Sequence, residues 1–429
     1  MNVSKDPRDS LRINIPLEEA LKIGKLLGSQ YDAVALCRDG HRSSHMIEQA
    51  MIAGIISTGG NVYLAGEAPA PAMPFTRTGC DCYVSIAADE PEQIGGIIIH
   101  NPDGSYFDES QILSLMSKEV RIYYPEYSGL GQTHKAYGLI GRYEDALMKF
   151  VKKCNCQVVM DGTYTMPTSV ASRMLINNDS DIIIVNRSGI TSIKTIDEYY
   201  YYDIIHTMES YAGSIAVALN NDGSRIVTFD EERRRINNHV LGAMFAEELS
   251  PSQVTAPIDV SLAVDDALGP GGIVVKSERN IKHVVDHMVA NKSGFGMDSY
   301  GRFVFTDLSY SPDGIAALLK LGEMSEEEKL CDRVDRIPEY PRLKERILTT
   351  ASEEEFMNAL LMEISGVDYD SMIRMGAIRL EFDNGWILLD VNCAEQYVDV
   401  TCESRDKAYV VGLMDIGKNI VNSAIRELD

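Results

Sequence analysis

Short apolar strands and amphipathic helices alternate along this chain, and the alternation begins afresh twice. Residues 17–27 have helical spacing behind Pro16, whose fixed φ suits the start of a helix. Residues 32–36 read as a strand, and 44–57 as a helix that stops at Gly59 and Gly60. Strands follow at 61–65, 82–87 and 96–99, with a proline-punctuated loop at 66–74 and a turn at 101–104. A second round has a strand at 156–160 ending in Asp161 and Gly162, a helix at 169–175, and strands at 181–185 and 214–219. A third follows Pro251, with strands near 273–275 and 303–306. The last stretch carries strands at 377–382, 386–390 and 397–401, then a helix from Lys407. Ser325 and Ser352, each followed by three glutamates, match capping boxes that open helices, where acidic first turns suit the helix dipole. The pattern predicts α/β units followed by a smaller α+β module.

At 429 residues the chain exceeds what one core organises, so roughly three or four domains are expected. No apolar run is long enough to span a bilayer and no leader is visible, so neither membrane nor secretion is expected. Eight scattered cysteines without a C-x-x-C pair suit reduced thiols in a cytoplasm. The pairs Cys80/Cys82 and Cys154/Cys156 are expected to be packed and inert. A formal net charge of -24 argues against nucleic acid, and also opposes anionic sugar phosphates unless a local basic pocket exists. His283 and His287 have zinc-pair spacing, but no third ligand is evident, so an ordinary helix face is expected. Tyr199 to Tyr202 would place aromatics all round a helix, part core and part a protein contact.

Several segments, in order, resemble phosphohexomutases, the superfamily of phosphoglucomutase, phosphomannomutase and phosphoglucosamine mutase. VALCRDGHRSSHMIEQAMIAGIISTGGNVYLAG is similar to the G-R-D-x-R-x-S-S segment, and GEAPAPAMPF to the P-T-P loop with Ala70 for threonine. VSIAADEPEQIGGIIIHNPDGSYF resembles the phosphoserine loop T-A-S-H-N-P with its N-P-D-G turn. VVMDGTYTMPTS resembles the V-V-D-G strand, and ALNNDGSRIVTFDE the metal loop F-D-G-D-x-D-R-L. GFGMDSYGRFVFTD and LLDVNCAEQYVDVTCES resemble the sugar loop G-E-x-S-G-H and the phosphate loop R-P-S-G-T-E-P. The resemblance implies an α/β fold: three similar α/β domains with mixed sheets, and a smaller C-terminal α+β domain, around a central cleft. The implied domains are 1–150, 151–248, 249–340 and 341–429, carrying loops at 86–91, 220–225, 294–302 and 390–399 respectively.

Those loops have lost much of the family's chemistry. The resemblance puts Ala88 at the phosphoserine, where a methyl cannot carry phosphate, and Asp89 beside it as an alternative nucleophile. Asn220, Asp222 and Ser224 stand at the three magnesium aspartates, cutting the ligand charge from three negatives to one. No cofactor is therefore expected, and magnesium at Asp222 only if an enzyme survives. Met297, Asp298, Ser299, Tyr300 and Arg302 depart from the sugar loop. Asp390 and Asp399 replace the two phosphate arginines, Asn392, Cys393 and Ala394 the S-G-T core, and only Glu395 matches. Unit charges ~4 Å apart at an effective dielectric of ~20 repel by about 4 kcal/mol, so sugar phosphate is disfavoured there. Arg38, Arg225, Asp298, Ser299, Arg302 and Glu395 remain candidate ligand contacts. The expected function is a phosphohexomutase-like protein inactive as a mutase. Its role would be binding, scaffolding or regulation, with a protein partner or as a homo-oligomer. The alternative is a divergent intramolecular phosphotransferase of sugar-phosphate metabolism with a non-serine site.

Overall fold

The computed structural model describes residues 13–14, 16–76, 79–88, 96–117, 122–163, 165–186, 201–350, 353–392 and 395–428. By internal contacts the chain forms two units, one of 1–238 with 280–335, the other of 239–279 with 336–429. The protein is of the α/β class with mixed sheets.

In the first unit a six-stranded sheet runs in the order Ile13–Asn14, Gly96–His100, Cys82–Ala87, Ala33–Arg38, Asn61–Glu67, Thr133–Lys135. Ala33–Arg38 is parallel to both its neighbours, whereas Gly96–His100 runs antiparallel to Cys82–Ala87. Val34, Leu36, Val84 and Ile86 are fully or almost fully buried, which explains the apolar character of these two strands, broken only by Ser85 and by the terminal Arg38. The helices Leu17–Gln30 and Arg42–Ser57 approach closely because glycines meet. A Cβ on Gly24 would lie 2.6 Å from the Met51 carbonyl oxygen, and one on Gly54 2.5 Å from that of Leu21.

A four-stranded sheet follows, in the order Ile226–Phe229, Ile215–Leu219, Gln157–Asp161, Asp181–Val185. Its last three strands are parallel, and Ile226–Phe229 returns antiparallel, so the tight loop 220–225 sits at the turn between two buried strands. The hairpin Phe295–Met297 with Phe303–Phe305 and the helices Ile281–Asn291 and Gly314–Glu327 complete this unit's described core. From Gly314 to Met324 the last helix is buried on every side.

The second unit pairs Gln253–Pro257 with Ile273–Ser277 in parallel. Its antiparallel five-stranded sheet has the order Arg342–Leu348, Tyr397–Ser404, Gly385–Asn392, Ile378–Phe382, Ser371–Arg374. Helices Glu353–Ile364 and Lys407–Arg426 bury Phe356, Leu360, Leu413 and Val421 with Ile387 and Val400 of that sheet.

Most strands expected from the sequence form within two residues of their expected ends. Ser325 is a correction. It lies in the last turn of Gly314–Glu327, where its hydroxyl donates to the Gly322 carbonyl, so it opens no helix. The packing that buries this helix overrides the local capping signal. Ser352 lies outside the described residues, as do Tyr199 and Tyr200. Tyr201 is buried against Phe229, whereas Tyr202 is exposed. Among the described residues no helix is long and apolar enough to cross a membrane.

Candidate functional site

The strand Ala33–Arg38 delivers Arg38 and Asp39 to one end of the first sheet, and Cys82–Ala87 delivers Ala88 beside them. Arg38 is occupied locally. It donates to Glu48 at 3.1 Å, to Glu67 at 2.9 Å and to the Asp39 carbonyl at 2.9 Å. Burial pushes the Glu48 carboxyl up despite this pairing with Arg38. Asp39, almost fully buried, accepts from the His41 amide at 3.0 Å through Oδ1 and from the Ala88 amide at 2.9 Å through Oδ2. The same Oδ2 accepts from Asn221 Nδ2 at 2.9 Å, and that amide also donates to the Ala88 carbonyl.

The 220–225 loop is closed on itself. Asp222 Oδ1 accepts from the Ser224 amide at 2.9 Å and hydroxyl at 2.6 Å. Asn220 Oδ1 accepts from the Arg225 amide at 2.9 Å, and its Nδ2 approaches Ser224 Oγ at 3.3 Å. The backbone of the Pro69–Ala70 loop docks here too, with the Ala70 amide donating to the Asp222 carbonyl at 2.9 Å. Gly314 fixes the other side, its amide donating to the Gly223 carbonyl at 2.9 Å. Asn220, Asp222 and Ser224 are thus brought together, but as hydrogen-bond partners of the loop. Among the described residues no group of three or more His, Cys, Asp or Glu could hold a metal ion, His283 and His287 included.

Asp298 and Arg302 close the neighbouring loop. Fully buried Asp298 accepts from the Tyr300 amide at 2.8 Å, the Arg302 amide at 2.9 Å and Arg302 Nη1 at 3.1 Å. Burial opposes the Arg302 charge, but Asp298, Tyr106 and Asp222 outweigh it and hold the guanidinium above its ordinary pKa. Ser299 is held through its carbonyl, which accepts from Asn238 at 3.0 Å. Arg225 pairs in a backbone bridge with Arg302. Its Nε is buried and has no hydrogen-bond partner among the described residues. Burial first, then the charge of Arg302, push its pKa down.

In the second unit the two aspartates of the expected phosphate loop are ion-paired. Arg346 grips Asp399 with two bonds, 2.7 and 2.9 Å, and Lys344 reaches it at 2.8 Å. Burial opposes the Asp399 charge, but these two cations win and hold its carboxyl below the usual range. Asp390 takes Arg279 at 2.6 Å. The expectation of bare negative charges repelling phosphate is therefore corrected: each is neutralised in place, and their cations are spent doing it. Glu395 is exposed, with its amide on Asn392 Oδ1 at 3.0 Å; Cys393 and Ala394 lie outside the described residues, as does Asp89.

Two residues of this cluster are only partly legible in the sequence. Asp39 was legible in the R-D of the first segment, but its partner 182 residues away was not. Asn221 had a signal, a side chain where the metal-loop pattern has glycine. Cys154 and Cys156 lie 3.8 Å apart through sulfur and share Ser180 as a polar neighbour, while burial pushes the Cys82 thiol up.

Residues 8–120 match the family model of phosphoglucomutase/phosphomannomutase, alpha/beta/alpha domain I. A probable phosphoglucosamine mutase of Methanocella arvoryzae is 26% identical over 419 residues, covering 95% of this chain and 94% of its own. The crystal structure of a phosphoglucomutase/phosphomannomutase family protein from Burkholderia thailandensis superposes with TM-score 0.84 at 16% identity, over 99% of this chain and 98% of that one. An Aspergillus fumigatus N-acetylphosphoglucosamine mutase, solved with GlcNAc-6P and magnesium, shares the fold at TM-score 0.51 and 12% identity, over 91% and 82% of the two chains. Over 95% of its length the chain is similar to phosphoglucosamine mutases, and its residues 8–120 match domain I of the phosphoglucomutase/phosphomannomutase family.

Proposed function

We propose that this protein acts on a phosphorylated hexose, as a divergent phosphoglucosamine-mutase-like enzyme of sugar-phosphate metabolism that uses no phosphoserine. Arg225 carries the reading: a half-buried arginine whose buried Nε lacks a partner among the described residues, beside the Arg302–Asp298 pair. Keeping such a cation half-satisfied is costly unless an anion completes it. Similarity to a relative named for phosphoglucosamine mutase activity, over 95% of the chain, supports the substrate class. Ala88 offers no oxygen, so the phosphoryl carrier would be another group, with Asp89 next along the chain. There a carboxylate oxygen would attack phosphorus, the phosphorus–oxygen bond to the sugar would break, and the sugar oxygen would take a proton.

A second reading, a family member that binds sugar phosphate or a protein partner without turnover, is favoured by Ala88 and by the ion-paired Asp390 and Asp399. Intact-mass analysis of the full chain with glucose 1,6-bisphosphate separates the two, with 31P NMR of glucosamine 6-phosphate as the turnover assay. A phosphoryl adduct labile to hydroxylamine, with turnover, is the expected result. Binding without adduct or turnover selects the second reading. Absence of any binding by calorimetry, unchanged in Arg225→Ala, refutes a phosphosugar ligand altogether.

A further inference from the structure

The 220–225 loop corresponds by resemblance to a magnesium loop, but its donor set does not fit a hard dication. Magnesium demands near-octahedral oxygen ligands at about 2.0–2.1 Å and gives up water reluctantly. Here the oxygens at the meeting of three loops already face protein donors. Asp39 Oδ2 and the Ala88 carbonyl both take Asn221 Nδ2, so an amide nitrogen already sits between these two oxygens. Asp222 Oδ1 takes two bonds from Ser224, and Asn220 Oδ1 takes the Arg225 amide. Positive charge is present as well: Arg302, 4% exposed, is bonded to Asp298 at 3.1 Å.

We propose that two fixed donors of the chain, the Asn221 amide and the Arg302 guanidinium, take the place of the divalent cation in this loop cluster. The geometry gives each donor a separate task. Asn221 ties the segment carrying Ala88 to Asp39 and to its own loop, a cross-link made by hydrogen bonds alone. Arg302 supplies the charge that buried Asp298 requires, since an unpaired buried carboxylate is strongly destabilising. The consequence is a loop cluster that holds its shape and charge balance without metal, whatever its substrate.

Equilibrium dialysis of the full-length protein against Mn2+, with Mg2+ as competitor, tests this directly. The expected result is no stoichiometric retention, and a melting midpoint unchanged between Mg2+ and EDTA. Retention of one Mn2+ per chain that Mg2+ displaces, or a midpoint lowered by EDTA, overturns the proposal. Asn221→Gly is expected to lower the midpoint by several degrees, with Mn2+ then restoring part of the loss. A folded Asn221→Gly as stable as the wild type, or one indifferent to Mn2+, also overturns it. Should that variant not fold, the wild-type dialysis decides alone.

Discussion

Asp313 is the side chain whose charge the fold resists most usefully for experiment. It caps the buried helix Gly314–Glu327 by accepting from the Ala316 amide at 2.8 Å, and both its oxygens lie 2.9 Å from the Tyr143 hydroxyl. Only 2% of it is exposed, and burial pushes its carboxyl up to about 7, against the pull of the Ala316, Tyr143 and Ile315 bonds. The folded state therefore binds this proton more tightly than the unfolded chain, whose aspartate titrates near 3.8. The sign follows from linkage. The contribution is fully present below 3.8, is lost as pH rises through about 7, and is constant above. The gap corresponds to about 4 kcal/mol in total, of which about 2–3 kcal/mol falls between about pH 5 and about pH 8. Asp313→Asn keeps an acceptor for the Ala316 amide and a donor for Tyr143 but carries no charge. Urea unfolding of both proteins across that range, read by near-UV circular dichroism, gives a difference in which other titrating groups cancel. The wild type is expected to lose about 2–3 kcal/mol relative to Asp313→Asn as pH rises. Parallel profiles would refute the burial argument.

Gly314→Ala would set a Cβ 2.9 Å from the Arg225 carbonyl oxygen and 3.0 Å from that of Gly223. It is expected to cost about 1–3 kcal/mol in urea unfolding and to weaken glucosamine 6-phosphate binding by calorimetry, because the loop bearing Arg225 must move. Asp399→Arg restores the family's residue type, yet sets a third cation beside Arg346 and Lys344. A lower melting midpoint with no gain in inorganic phosphate affinity is expected; a tighter phosphate site would show that the aspartate alone excludes it.

Much of the fold was legible because strand burial is a local property of composition. Residues 82–87, apolar but for Ser85, became the buried strand Cys82–Ala87, and 181–185, apolar after Asp181, became the half-buried strand Asp181–Val185. The helices Glu109–Met116 and Leu139–Phe150 are less evident in the sequence, the first burying Leu115 and the second Leu139, Tyr143 and Leu147. Ser325 misled for the opposite reason, a strong local capping signal inside a helix that tertiary packing had already claimed.

What the sequence determined by itself is chemical identity. Ala88 has no nucleophilic oxygen and Asn220 no charge in any fold, so what these two side chains cannot do needed no coordinates. Only the tertiary structure decided how the remaining charges are spent. Asp390 meets Arg279 across 111 residues, Asp399 meets Arg346 across 53, and Asn221 reaches Asp39 across 182. Hydrogen bonds and ion pairs depend on separations of a few ångströms and on burial, and chain order encodes neither. A sequence rich in carboxylates thus read as repulsive, whereas the fold pairs Asp390 and Asp399 with cations and buries the Arg225 Nε without a hydrogen-bond partner among the described residues.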